Sequence, residues 1–329
     1  MPGRFFYCQK NSFMPTMNPL NPFLKKYGLA ILDGSLASEL EHRGQNLKDP
    51  LWSAKVLIEN PELIKTIHAD YLTAGADIIT TNSYQANFQG LFKKGLTRKE
   101  AEGIFKTSVK LALEARDEFW CQAENRNDRI KPLVAASIGP FGAYLADGSE
   151  YSGDYELTIR QLIDFHRPRF ETLADAGAGL FAFETIPCAK EAEALVSLLE
   201  EYPHIQAWLS FSCRDESYIS SGEPIEEAVA SIGSNDQVIA AGVNCTPPQY
   251  IEQLLCKCSK VTSIPLITYP NSGETWDAHH HCWLPAAQST NFLEMAKKWQ
   301  AAGAKVIGGC CRTSPKEIQS LTQLKKERL

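Results

Sequence analysis

Three of the ten cysteines in this 329-residue chain stand where soft-metal chemistry would need them: Cys245, and the adjacent pair Cys310-Cys311 directly after Gly308-Gly309. Each group closes a short apolar run. Three thiolates suit Zn²⁺, which prefers sulfur over oxygen and, in catalytic sites, keeps its fourth position open for substrate. Two other readings of the same residues stay open: small hydrophobes buried for packing, or a vicinal pair that switches to a disulfide. Two carboxylates, Asp33 and Glu184, also end apolar runs. A carboxylate there can bind a cation or move a proton. It can also do less, as a cap on a helix over Ser35–Arg43 for Asp33 or a core ion pair for Glu184.

Other chemistry-bearing residues are weaker candidates. Cys256 and Cys258 fall on an expected helix, where residues two apart do not share a face. His279-His280-His281-Cys282 has metal-binding composition, but consecutive loop residues usually face solvent. Asn244-Cys245-Thr246 fits a glycosylation sequon by chance, with no secretory signal before it. No Gly-x-Ser-x-Gly nucleophile elbow occurs.

Bulk properties narrow the classes. The net charge is −6 and no Lys/Arg block forms a phosphate-binding stripe, which argues against a nucleic-acid partner. No apolar run reaches the roughly 18 residues of a membrane span. Irregularly spaced cysteines without a secretory signal point to free thiols in a reducing, cytoplasmic setting. The 44% hydrophobic content is ample for a large core.

The elements that must carry these residues follow a repeat. Ala74-Gly75-Ala76, Ala176-Gly177-Ala178 and Ala302-Gly303-Ala304 each end an amphipathic run and precede a short apolar one. Glycine just past a helix takes the left-handed conformation that stops it. Unalternating apolar runs are expected for strands buried on both faces. The eight expected strands are Leu29–Asp33, Ile78–Thr81, Leu133–Ser137, Leu180–Glu184, Ala207–Ser212, Val238–Asn244, Leu266–Tyr269 and Val306–Cys310. They recur about every 40 residues, the spacing of βα units. Asn60-Pro61, Thr97-Arg98-Lys99-Glu100 and Ser314-Pro315-Lys316-Glu317 signal helix starts. With no Gly-x-Gly-x-x-Gly and no Walker A loop, the expectation is an α/β fold, a (β/α)8 TIM-type barrel over residues 29–329, with its chemistry at the C-terminal strand ends. Residues 1–28 are expected to be a disordered or loosely packed extension.

The strand-end segments resemble one family. Leu32-Asp33-Gly34, Asp77–Ala86, Gly242-Val243-Asn244-Cys245-Thr246-Pro247-Pro248 and Gly308-Gly309-Cys310-Cys311-Arg312-Thr313-Ser314-Pro315 are similar to those of the homocysteine S-methyltransferases. The resemblance implies that Cys245, Cys310 and Cys311 hold zinc, that Asp33 and Glu184 bind the ammonium of homocysteine, and that the N–H groups of Gly34 and Ser35 receive its carboxylate. Ser137–Tyr151 and Tyr269–Glu274 look like the stand-alone branch that uses sulfonium donors. That branch takes S-methylmethionine, in some members S-adenosylmethionine, and yields methionine. Betaine as donor is the alternative, as is a non-enzymatic zinc or thiol redox barrel. A carboxylate-driven lyase is disfavoured by the thiol set. Trp52, Tyr84, Phe141 and Trp276 lie on expected rim loops and are candidates to stack on a cationic donor. Asn271, just after the strand between those carrying Cys245 and Cys310, is the candidate to close the fourth zinc position without substrate. The expected partners are small molecules only. A monomer is compatible with the sequence, which leaves the oligomeric state open.

Overall fold

A computed structural model describes residues 17–47, 49, 51–232, 235–273, 275–277, 282–284 and 291–326. Eight parallel strands form its centre: β1 (Ala30–Ile31), β2 (Ile78–Thr80), β3 (Leu133–Ile138), β4 (Leu180–Ile186), β5 (Gln206–Phe211), β6 (Val238–Asn244), β7 (Leu266–Tyr269) and β10 (Ala304–Ile307). Their order is β1-β10-β7-β6-β5-β4-β3-β2. The ring closes where Leu32 bridges Ile78 in parallel and the Asp33 N–H reaches the Ile78 carbonyl at 3.0 Å. Every residue of β4 and of β6 is buried, as strands covered inside and out must be. The fold is the expected (β/α)8 barrel.

The helices start and stop for the reasons legible in the chain. Thr97 and Ser314 each form a reciprocal capping box with the glutamate three residues on. Asn60 precedes the helix Pro61–Ala74, but its side chain makes no capping hydrogen bond. Pro61 sets that start instead, through its fixed φ. Gly75, Gly177 and Gly303 all adopt positive φ at the junctions. Along Pro61–Ala74 the stripe Ile64, Ile67, Tyr71 and Leu72 is buried against the barrel, with Leu63 at its edge.

Two features depart from the sequence expectation. The first is the extension. Asn21–Tyr27 is a helix that buries Leu20, Phe23 and Tyr27 against the barrel interior, beside Ala30, Leu32, Ile78, Trp208, Ile267 and Val306. Asn18 donates to the carbonyl of Ile239, near the start of β6, so this helix plugs the N-terminal mouth. Spacing of three and four residues puts the three side chains on one face, a stripe too short to stand out. The loosely packed reading therefore fails for residues 18–28, while residues 1–16 lie outside the described residues. The second is a small antiparallel ribbon, β8 (Thr275–Asp277) with β9 (Cys282–Leu284), set between β7 and β10. Three-residue strands carry no readable period.

Among the described residues no helix is long and apolar enough to cross a membrane. With one mouth plugged, chemistry is left to the other.

Candidate active site

Cys245 follows β6, and Cys310 and Cys311 follow β10, with β7 between the two strands. Their three sulfurs lie within 4.8 Å of one another, and Cys245 Sγ is 3.4 Å from Cys311 Sγ. Among the described residues this is the one group of three or more metal-ligating side chains. Sulfurs bound tetrahedrally at about 2.3 Å from zinc stand about 3.8 Å apart, inside the observed spread. The donor set thus fits a single soft ion with little movement. Gly308 and Gly309, which precede the pair, contribute by leaving room. A Cβ on Gly309 would meet Thr313 Oγ1 at 2.3 Å, and one on Gly308 would meet Leu32 Cβ at 2.7 Å. These glycines permit close packing of the pair against β1 and the next loop.

The backbone at this mouth is held in unusual conformations. Cys245 has φ +48°, Thr185 +60° and Arg312 +65°, all in the left-handed region that costs a non-glycine residue about 1–3 kcal/mol. Specific bonds fix each one. Cys245 N–H donates to the Tyr269 carbonyl at 3.1 Å, Thr185 N–H to Asn244 Oδ1 at 2.7 Å, and Arg312 N–H to Ser38 Oγ at 2.9 Å. Hydrogen bonds from the Cys310 and Cys311 thiols, with a further one from Tyr151, hold the Cys245 thiol well below its ordinary value. Hydrogen bonding to Cys245, and its charge, in turn hold the Cys310 and Cys311 thiols well above their ordinary values, so the three sulfurs together favour one thiolate that two thiols donate to.

The two carboxylates lie at the same mouth, Asp33 after β1, which pairs with β10, and Glu184 on β4. Asp33 is 3% exposed and accepts from the Thr80 N–H at 2.7 Å and from the Thr80 hydroxyl. Burial holds its carboxyl well above the usual range, against the Thr80 bond, and the nearby charge of Glu184 adds to the rise. Glu184 is 9% exposed and accepts from the hydroxyls of Ser137 and Tyr269. Burial pushes its carboxyl up to about 7, with the charge of Cys245 a smaller contribution in the same direction. Neither carboxylate makes an ion pair with a described residue. Ser35, rather than Asp33, caps the helix Leu36–His42 through its hydroxyl. Two desolvated acids that interact with each other and lack a cation form a receptor for one.

The remaining expected residues divide. Ser35 N–H already points at Thr313, 3.3 Å from both its carbonyl and its hydroxyl oxygen. Asn271 is buried, and its Oδ1 accepts from Gly273 N–H at 3.1 Å, so in this conformation it serves the turn after β7. Tyr84 lies against Gly139 and feels the charges of Glu150 and Cys245. Phe141 packs edge-on against Tyr144, Tyr155 and Phe165, and its N–H donates to Glu191, so its ring belongs to an aromatic cluster behind the rim. The side chains of Trp52 and Trp276 lie outside the described residues, as do His279–His281. Cys256 is exposed and Cys258 buried, in keeping with their helix.

Several residues at the mouth were not singled out in the sequence. Ser137 and Tyr269 hold Glu184, and Trp208 and Ser210 hold Tyr269 at 3.0 and 2.6 Å. Tyr151 brings its hydroxyl to 3.3 Å from Cys245 Sγ. Glu150, beside it, has a carboxyl pushed up by burial to about 7. Strand-end position pointed to Ser137 and Tyr269, but nothing local marks a loop residue that reaches across the barrel.

Comparison with known proteins identifies the family. The family described as homocysteine S-methyltransferase matches residues 30–324. The homocysteine S-methyltransferase YbgG of Bacillus subtilis is 50% identical over 305 residues, covering 93% of this chain and 97% of that protein. Homocysteine S-methyltransferase 1 of Zea mays is 48% identical, covering 92% of this chain and 95% of that protein. Among solved structures, the metallated form of the Escherichia coli homocysteine methyltransferase MmuM superimposes with a TM-score of 0.84 at 45% identity, over 93% of this chain and 99% of that one. The barrel, the three-thiol cluster and these likenesses agree: the chain belongs to the homocysteine S-methyltransferase family.

Proposed function

We propose that the protein transfers a methyl group from a sulfonium donor to the thiol sulfur of L-homocysteine, giving methionine. S-methylmethionine is the first donor assigned and S-adenosylmethionine the second. The observation that carries the reading is the pairing of the three-sulfur cluster with two buried carboxylates that have no cation of their own. An amino-acid thiol offers groups for both.

Cys245, Cys310 and Cys311 would hold a zinc ion. When bound, zinc supplies a Lewis acid that favours the thiolate form of a thiol brought to it. Asp33 and Glu184 bind the ammonium of homocysteine and so aim its side chain at the cluster. Because Thr313 engages the Ser35 N–H, the Gly34 N–H is the better placed of the two for the carboxylate. Charge-assisted contacts at both ends of the zwitterion discriminate an amino acid from a plain thiol. The methyl carbon then passes between sulfurs in one in-line displacement. Its bond to the acceptor sulfur forms as its bond to the donor sulfur breaks, and the donor leaves as a neutral thioether. No acid catalyst is required for such a leaving group. The chain supplies position and charge.

Metal analysis of the purified protein, joined to a homocysteine methylation assay with S-methylmethionine, S-adenosylmethionine and betaine, tests the reading. Bound zinc and turnover with the sulfonium donors are expected. Turnover with betaine alone, or none at all, would overturn it.

A further inference from the structure

Glu150 has no part in the site as assigned so far, and its surroundings are unusual for a carboxylate. It sits in a short 3-10 turn, Ser149–Tyr151, whose backbone is fixed from three sides. Gly142 packs so close that a Cβ there would come within 2.4 Å of the Glu150 nitrogen. Ser212 Oγ donates to the Glu150 carbonyl at 3.1 Å, and the next residue, Tyr151, contacts Cys245. The side chain is therefore presented by a rigid backbone. Its Oε2 is shielded from solvent and has no hydrogen-bond partner among the described residues. Its charge is felt at Tyr84 and at Cys245, and among the described residues no cationic side chain pairs with it. A shielded carboxylate oxygen with nothing to bond is unfavourable unless a ligand supplies the missing partner.

Asp33 and Glu184 differ. Side chains of Thr80, Ser137 and Tyr269 already hold them, and they are assigned above to the ammonium of the acceptor. The Glu150 carboxyl is met by backbone N–H groups, its own and that of Gly148, and its Oε2 stays unbonded. Glu150 also lies near the thiols: Tyr84 feels its charge, it feels that of Cys245, and Tyr151, the next residue, meets Cys245. A carboxylate beside tyrosine side chains suits a sulfonium, a soft cation with no N–H to donate.

We propose that Glu150 recognises the positive charge on the methyl-bearing sulfur of the donor, and so restricts this enzyme to cationic donors. The inference rests on the sulfonium-donor reading given above. Its kinetic signature follows from where the charge goes. As the methyl group leaves, the electron pair of the broken bond stays on the donor sulfur, which becomes a neutral thioether. The attraction to Glu150 is thus strongest before the reaction and fades along it. An interaction stronger in the ground state than in the transition state lowers KM without raising kcat. It also loosens the hold on the leaving thioether, whose sulfur is neutral.

Steady-state kinetics of Glu150→Gln, which keeps the side chain's shape and removes its charge, tests this. The KM for S-methylmethionine should rise ten-fold or more, kcat should hold or increase, and the KM for homocysteine should stay within two-fold. Inhibition by trimethylsulfonium, which carries the charge without an amino group, should weaken by a similar factor. Circular dichroism and metal content confirm that the variant is folded. If it is not, Glu150→Asp serves, with a smaller rise in the same KM. An unchanged donor KM, a fall confined to kcat, or a loss for S-methylmethionine with trimethylsulfonium inhibition intact would overturn the assignment. The last result would mean that Glu150 reads the ammonium of the donor. A wild-type enzyme that uses no sulfonium donor would instead overturn the donor reading, and is distinguished by needing no variant.

Discussion

The Tyr151 hydroxyl meets Cys245 Sγ at 3.3 Å across 94 residues of chain. The contact ties the loop after β3 to the thiol cluster after β6. The phenol remains protonated, since burial and the neighbouring Cys245 and Cys311 push it well above its ordinary value, so it donates. Through this bond the loop that carries Glu150 and the cysteines that would hold the metal form one unit. A change in either is therefore expected to register in the other.

Replacing Cys310 with serine tests the metal assignment. Loss of one of three sulfurs should remove bound zinc and methyl transfer together, while the barrel stays folded because Cys310 is only partly buried and packs at the rim. Metal analysis and circular dichroism read the two outcomes separately. Full zinc occupancy in the variant would sink the assignment.

Glu184→Gln should weaken homocysteine binding ten-fold or more, since a charge-assisted contact to a buried cation contributes about 1.5–3 kcal/mol. Metal content should not change. Titration calorimetry with homocysteine gives the affinity. The wild-type kcat/KM for homocysteine should also fall on the acid side with an apparent pKa about 7, where the Glu184 carboxylate takes up its proton. In the variant that limb should be missing.

The same substitution should stabilise the empty protein, with a definite pH dependence. The Glu184 carboxyl is raised from its ordinary value of 4.5 to about 7, so between those values the folded state binds more protons than the unfolded one. Stability is then lost as pH rises through that window. Glu184→Gln removes the loss and can still accept from Ser137 and Tyr269. Its Tm should exceed that of the wild type at pH 8 and match it near pH 4. A variant less stable than wild type at pH 8 would show that Glu184 stabilises the fold rather than burdening it for function.

Phe23→Ala probes the plug at the N-terminal mouth. Phe23 is 1% exposed and packs inside the barrel, so truncation should cost about 3–5 kcal/mol by cavity formation. Chemical denaturation measures the difference. A change below about 1 kcal/mol would mean the helix Asn21–Tyr27 is dispensable to the core.

The sequence by itself determined the barrel. Its signals are local: a glycine stop at three helix-to-strand junctions, and recurring short apolar runs buried on both faces, which a covered parallel sheet accommodates. It also determined which residues end the strands, because in such a barrel those positions share one mouth. Asp33, Glu184, Cys245 and the Cys310-Cys311 pair were legible for that reason. What only the tertiary structure decided is distance and partnership. That Glu184 is held by Ser137 and Tyr269, that Thr313 already engages Ser35, and that Asn271 turns its oxygen to Gly273 all depend on side-chain directions that no spacing encodes. The reach of Tyr151 to Cys245 and the shielded oxygen of Glu150 come from a loop folding over the barrel. Loop paths are set by contacts far apart in sequence, whereas strand ends are set by periodicity. The packed helix Asn21–Tyr27 belongs to the same class. Three apolar residues on one face become a plug only because a barrel interior stands open to receive them.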